Sequence, residues 1–328
     1  MRILDWAGDH AKFQDPDAPR DSELTAAAGG ASTGIGGGVT ADRRSIMPER
    51  ALLDLYFEVL GKGDPGLLPL APGARYTENG QEIPFGSGTW ATVTGVAAER
   101  NIAVADHEQG QQAGWGMIAE AGLPALAGVR LKADTSGLIT EAEALIVRSP
   151  LFGRADFPVR LRRPSALAGD VAGPAARATR AELQAAADAY FDGVQDDDPD
   201  LIPAADDCLR IENGVQTVLN PAAEGLGPGS PLGEGIGMGV RDQVRLLGFP
   251  QIERIRDRRY PVIDVERGLV LGLVFFDHPG PVRTGPVPPR FAAPNSYFIW
   301  ELFKISGGVI RHIEAIMAMF PYGMRPGW

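Results

Sequence analysis

The second half of the chain repeats the first in order and in register. Tyr56-Phe57 answers Tyr190-Phe191, Asp64-Pro65 answers Asp198-Pro199, and Glu78-Asn79-Gly80 answers Glu212-Asn213-Gly214, all at one constant offset. After an insertion in the second half, Asp106-x-Glu108-x-Gly110-x-x-x-Gly114 answers Asp264-x-Glu266-x-Gly268-x-x-x-Gly272. Gly137-x-Ile139-x-x-x-Glu143-Ala144 then answers Gly308-x-Ile310-x-x-x-Glu314-Ala315. A repeat unit this long implies two globular copies rather than a solenoid, so function is sought where the copies differ.

With 328 residues, 44% of them hydrophobic, the chain is long enough for two cores. A formal charge of −11 opposes a nucleic-acid or anionic-membrane partner, because either polyanion is repelled by the net field. One cysteine, Cys208, excludes an internal disulfide and a thiolate zinc cluster, and points to a reducing compartment. The start, Met1-Arg2-Ile3-Leu4-Asp5-Trp6, has no apolar leader core, and no apolar run reaches roughly 18 residues. A soluble, cytoplasmic protein is expected.

Residues 1–46 carry a Gly/Ala/Ser/Thr run from Ala26 to Val39 and read as a flexible arm. Within it, Gly30-Ala31-Ser32-Thr33-Gly34-Ile35-Gly36 imitates a nucleotide-binding loop. Such a loop must leave a buried strand and open a helix, and neither flank has the pattern, so no cofactor is expected. Each copy opens with an amphipathic helix. In the second, Thr179 and Glu182 form a capping box ahead of the stripe Leu183, Ala186, Ala187, Tyr190, Phe191 and Val194. The first has Leu52, Leu53, Tyr56, Phe57 and Leu60, with Gly61 as a stop. Asp64-Pro65 and Asp198-Pro199 start a short second helix. Strands follow, with turns at Asn79-Gly80, Asn213-Gly214, Glu266-Arg267-Gly268 and Ser306-Gly307-Gly308. The division is an arm (1–46), a first domain (47–150), a Pro/Gly-rich linker (151–176) and a second domain (177–328). The second domain adds two Gly/Pro-rich loops, 219–235 and 279–295, which read as binding loops around a cavity.

That order, together with Phe303-Lys304-x-x-x-Gly308-x-Ile310-x-x-Ile313-Glu314-Ala315, resembles the NTF2-like or SnoaL-like cone fold. The tail Phe320-Pro321-Tyr322-Gly323 with Gly327-Trp328 is most similar to its bacterial and fungal members. The resemblance implies an α+β protein of two tandem cones, each with N-terminal helices on a curved, mainly antiparallel sheet around an apolar pocket. It also implies small-molecule chemistry, by isomerases, dehydratases, cyclases, epoxide hydrolases or lyases, or a non-enzymatic binding module. Apolar runs such as Val270, Leu271, Leu273 and Val274 imply sheets covered on both faces, hence an intrachain pseudo-dimer.

The duplication supplies an internal control on candidate residues. Asp106/Asp264 and Glu108/Glu266 occur in both copies beside a turn glycine and read as turn caps. His312 has Glu141 as its counterpart, and on a strand it shares a face with Ile310, Glu314 and Ile316, so His312 with Glu314 is a candidate acid–base pair; a surface His/Glu pair is the alternative. Tyr190 and Glu212 supply the phenol and carboxylate that proton abstraction needs, and Arg210 shares the face of Glu212. Tyr56 and Glu78 repeat that pair, so it reads equally as a site or as shared framework. His278, Tyr260, Tyr297 and Trp300 stand near the second-copy insertions and are expected to line a cavity for a small hydrophobic, aromatic or polycyclic ligand. Four scattered histidines without ligand spacing predict no metal centre. The function expected is a cofactor-independent lyase or isomerase working by proton abstraction, dehydration or retro-aldol cleavage. The alternative is a non-catalytic binding or assembly module.

Overall fold

The computed structural model describes residues 51–97, 101–148, 171, 173, 177–222, 233–281 and 292–328. The expected arm, nearly all of the linker, the Gly30–Gly36 imitation loop and the middles of both second-half loops lie outside the described residues. The first half runs α1 (Ala51–Lys62), β1 (Leu70–Glu78), β2 (Gln81–Glu82), α2 (Thr89–Thr92), β3 (Val93–Val96), β4 (Ile102–Asp106), β5 (Gln111–Glu120), β6 (Leu123–Ala133) and β7 (Ile139–Val147). The second runs α3 (Arg180–Gln195), β8 (Ala204–Glu212), β9 (Val215–Gln216), α4 (Val240–Leu247), β10 (Arg254–Asp264), β11 (Leu269–His278), β12 (Asn295–Ser306) and β13 (Val309–Pro321). This is an α+β molecule with two sheets.

Local chemistry explains the punctuation. Thr179 accepts from Glu182 N while the Glu182 carboxylate accepts from Thr179 N at 2.8 Å, so the capping box starts α3 as expected. Asp64 and Asp198 also cap, each bonding the amide two residues on at 3.0 Å. What they cap is one 3-10 turn, Pro65–Leu67 or Pro199–Leu201, rather than the expected second helix, because only three residues separate the cap from extended backbone. Asn79 and Asn213 adopt φ of 52° and 47°, the left-handed turn conformation. Their amides also reach the far strand: Asn79 accepts from Ile146 N at 2.7 Å and Asn213 from Met317 N at 2.8 Å.

The sheets follow the orders β2-β1-β7-β6-β5-β3, with β4 also on β5, and β10-β11-β12-β13-β8-β9. Pairing is antiparallel except for β1 on β7 and β8 on β13. Strand alternation then assigns faces. One face of the second sheet, with Val270, Val274, Ile299, Phe303, Ile313 and Ala315, packs on Tyr190 and Phe191 of α3. The first sheet does the same with Val129, Leu131, Ala142 and Ala144 on Tyr56 and Phe57 of α1. The opposite faces meet each other: Trp115, Leu126 and Leu145 share one core with Leu271, Leu273, Phe298, Trp300 and Ile316. The sheets approach closely at Gly128, where an added Cβ would stand 2.4 Å from Ile316 Cδ1. Ion pairs frame this contact. Arg180 grips Asp106 through two 2.8 Å bonds, and Arg259 reaches the buried Glu143 at 2.6 Å beside Arg130 at 2.9 Å.

Candidate functional site

The site begins with a lateral row across three strands. Glu212 on β8 is in register with Ala315 on β13, and Ala315 with Glu301 on β12. Ala315 belongs to the core around α3, so all three side chains point to the side of the sheet that α3 covers. Two strand spacings put the two carboxylate-bearing Cα atoms roughly 10 Å apart. The short side chain between them leaves the carboxyls free to converge above Ala315. The first half has the row Glu78, Ala144, Val129, with valine where the second half has Glu301.

Arg210, two residues before Glu212 and on the same face, is buried among polar partners. Its Nε donates to Thr217 Oγ1 at 3.0 Å, one terminal nitrogen donates to Tyr190 Oη at 3.4 Å, and the other donates to Gln243 Oε1 on α4. Glu212 lies 3.6 Å from Arg210 Nε and keeps 18% of its side chain exposed, which puts it at the wet end of the cluster. Glu301, 3% exposed, lies at the dry end. Burial first, then the like charge of Glu212, pushes its pKa up to about 8, against the opposing pull of Arg210 and a hydrogen bond from Tyr190. Burial likewise drives the Tyr190 phenol well above its ordinary value. Arg210 stays charged, since Glu212, Tyr190 and Glu301 outweigh its burial. At neutral pH the cluster therefore holds a protonated carboxylic acid, a phenol and a guanidinium beside a second carboxyl.

The first half fills the equivalent space with rings. Tyr76 stands in place of Arg210 and stacks on Phe85 at 5.0 Å, and Trp90 of α2 meets Tyr56 edge-on at 5.1 Å. Glu78 is taken up by Tyr76 Oη at 3.0 Å, Thr89 N at 2.8 Å and Arg148 at 3.1 Å.

Of the residues singled out from the sequence, Tyr190, Arg210 and Glu212 come together. His278 and Tyr297 share the helix-covered face at the strand ends, ring to ring at 4.8 Å. Tyr260 sits beside α3, its hydroxyl donating to Asp188 at 2.5 Å. His312, Glu314 and Trp300 are on the other face of the sheet. Ile310 and Ile313 both belong to the α3 core, and the pairing of β13 with β8 is irregular between Ile310 and His312. That shift parts His312 from the face of Ile310 and leaves it with Glu314 and Ile316, toward the first sheet. His312 Nε2 is 3.9 Å from Glu314, and burial lowers its pKa. Glu301 and Gln243 were not among the sequence candidates. The signal for Glu301 was a lone charge inside Phe298-Ile299-Trp300-Glu301-Leu302-Phe303, a strand apolar on both faces. Among the described residues no group of three His, Cys, Asp or Glu is placed to hold a metal ion. No described helix is long and apolar enough to cross a membrane.

The family model described as Domain of unknown function (DUF8021) matches residues 176–317, the span that carries this cluster. No curated protein matches the chain in sequence. Among solved structures the chain is similar to AclR from Streptomyces galilaeus, a candidate hydroxylase, at 14% identity over 45% of this chain and 79% of that one, with a TM-score of 0.29. It is similar to an LEH-like epoxide hydrolase from M. tuberculosis at 16% identity over 42% of this chain and 84% of the other, with a TM-score of 0.27. A candidate SnoaL-like polyketide cyclase from Jannaschia sp. CCS1 gives 15% identity, 45% and 91% coverage, and a TM-score of 0.27.

Proposed function

We propose that the chain is a tandem pair of NTF2-like cones, over 47–150 and 177–328, in which the second is a cofactor-independent lyase or isomerase acting on a small hydrophobic molecule and the first is a ring-filled copy that supports its sheet. The carrying observation is the row Glu212–Ala315–Glu301, which sets two carboxyls with different surroundings on one face of the sheet. In this reading Glu212 removes a proton from the carbon next to a carbonyl or hydroxyl, Arg210 and Tyr190 hold the developing negative oxygen, and Glu301 delivers its proton. With a β-hydroxy carbonyl substrate, delivery to the leaving hydroxyl releases water and gives dehydration; with a β,γ-unsaturated carbonyl, delivery to the γ-carbon of the dienolate gives isomerisation. A general acid with a pKa near the working pH serves both. Phe276, Tyr297, Phe303 and Met317 of the same core favour an apolar, ring-bearing substrate.

A second reading, a binding or assembly module, is favoured by one observation: all three Arg210 nitrogens already have protein partners, as in a purely structural polar core. The deciding experiment screens aromatic, steroid and terpenoid carbonyl compounds by thermal shift, then incubates the binders in D2O and follows deuterium uptake by mass spectrometry. Catalysis predicts uptake that Glu212→Gln and Glu301→Gln each reduce by about 10²-fold or more. Binders that exchange at the same rate with and without protein would leave only the module.

A further inference from the structure

Gln243 is 0% exposed and each end of its side chain amide is occupied. Its oxygen accepts from Arg210, while its nitrogen donates to Thr217 O at 2.7 Å and to Gly235 O at 3.1 Å. Two backbone carbonyls thus fix which way round the amide sits, and the amide oxygen in turn fixes one prong of the guanidinium. Thr217 Oγ1 fixes the Nε side. Such anchors matter because Arg210 is a buried cation between two carboxyls, and an unanchored guanidinium turns toward carboxylate oxygen, its strongest acceptor. The first half supports the pairing of roles. It has tyrosine in place of the arginine, and its short helix α2 presents Trp90, with no amide, to the same interior. The arginine and the amide that holds it occur together in the second half.

We propose that Gln243 is a positioning residue: by holding Arg210 toward α4 and Thr217, it keeps the guanidinium from closing onto Glu301. The inference rests on the acid–base reading of this cluster. The ionisable groups facing Glu301 are Tyr190 from α3 and Cys208, Arg210 and Glu212 from β8; its strand neighbours Gly272 and Ala315 carry none, and α4 offers only the neutral Gln243. Arg210 is the one cation in that set, and it opposes the burial and the Glu212 charge that favour the protonated form, so moving it closer lowers the proton affinity of Glu301.

The test reads the Glu301 carboxyl directly, through its protonated C=O stretch in infrared spectra or its 13C shift between about pH 5 and pH 10, assigned by its disappearance in Glu301→Gln. The wild-type midpoint is expected near 8. Gln243→Met removes the acceptor, frees Arg210 and lowers the midpoint by one unit or more, a tenfold or greater loss of proton affinity. Gln243→Glu keeps an acceptor for Arg210 and adds negative charge, so its midpoint stays at or above wild type. A wild-type midpoint near 8 that Gln243→Met leaves in place overturns the positioning role alone. A wild-type midpoint near 4.5 overturns the acid–base reading itself. If Gln243→Met does not fold, Gln243→Glu carries the test, and a fall in its midpoint overturns the proposal.

Discussion

Glu301→Gln converts the buried acid into a measurable pH dependence of folding. The amide keeps nearly the same volume and hydrogen-bonding reach but does not ionise. In the unfolded chain the Glu301 carboxyl titrates near 4.5, and in the folded chain near 8. The native state therefore binds this proton more tightly than the unfolded state does. The resulting stabilisation is complete below about pH 4.5 and is lost progressively as the pH rises to about 8. At about 1.4 kcal/mol per pH unit over roughly 3.5 units, the loss totals on the order of 5 kcal/mol. Urea unfolding of wild type and Glu301→Gln at pH steps from about 5 to about 9, followed by far-ultraviolet circular dichroism, reads this effect, because titrating groups that do not interact with Glu301 cancel in the difference and those that do, Glu212, Arg210 and Tyr190, are part of the same cluster. The variant is expected to be no more stable than wild type at about pH 5. It then gains on wild type at each step until the difference levels off above about pH 8. A difference that is flat across the series would refute a raised folded-state pKa, and with it a protonated acid at neutral pH.

Two further outcomes follow from placement on the strands. His312→Gln is expected to leave turnover on any substrate within a few-fold of wild type, because the ring is on the face turned to the first sheet. Its pKa is lowered by burial, so its stabilisation is present above its ordinary value of 6.5 and lost as the pH falls below that, a loss that His312→Gln abolishes in the same urea series. Ala315→Leu puts a bulky side chain between Glu212 and Glu301. It is expected to abolish the thermal shift given by binders while costing about 1–3 kcal/mol of stability through overpacking, and undiminished ligand protection would move the site elsewhere.

Helix faces, caps and turn residues were legible because they are set by neighbours within a few positions. The stripe of α3 put Tyr190 inside, and period two along β8 put Arg210 and Glu212 on one face. The readings of His312 and Glu301 turned on irregularities of register between strands. Counted from the repeated glycines Gly137 and Gly308, Glu301 falls opposite Arg130, a buried charge already committed to Glu143, so the comparison of the two halves does not mark it out. The turn between β6 and β7 is longer than the turn between β12 and β13, and both hairpins have a register shift close to it. Paired through Ala144 and Ala315, Glu301 instead corresponds to Val129, and a charge replaces an apolar residue on the helix-covered face. His312 moved for the converse reason, since alternation counted from Ile310 does not survive the irregularity beside it. A strand's period is a local property, whereas its phase is reset at each bulge by the partner strand, which a single sequence does not show. Gln243 was hidden differently: α4 has eight residues between glycines, too short for periodicity to declare, and only the arginine across the interior gives its amide a role.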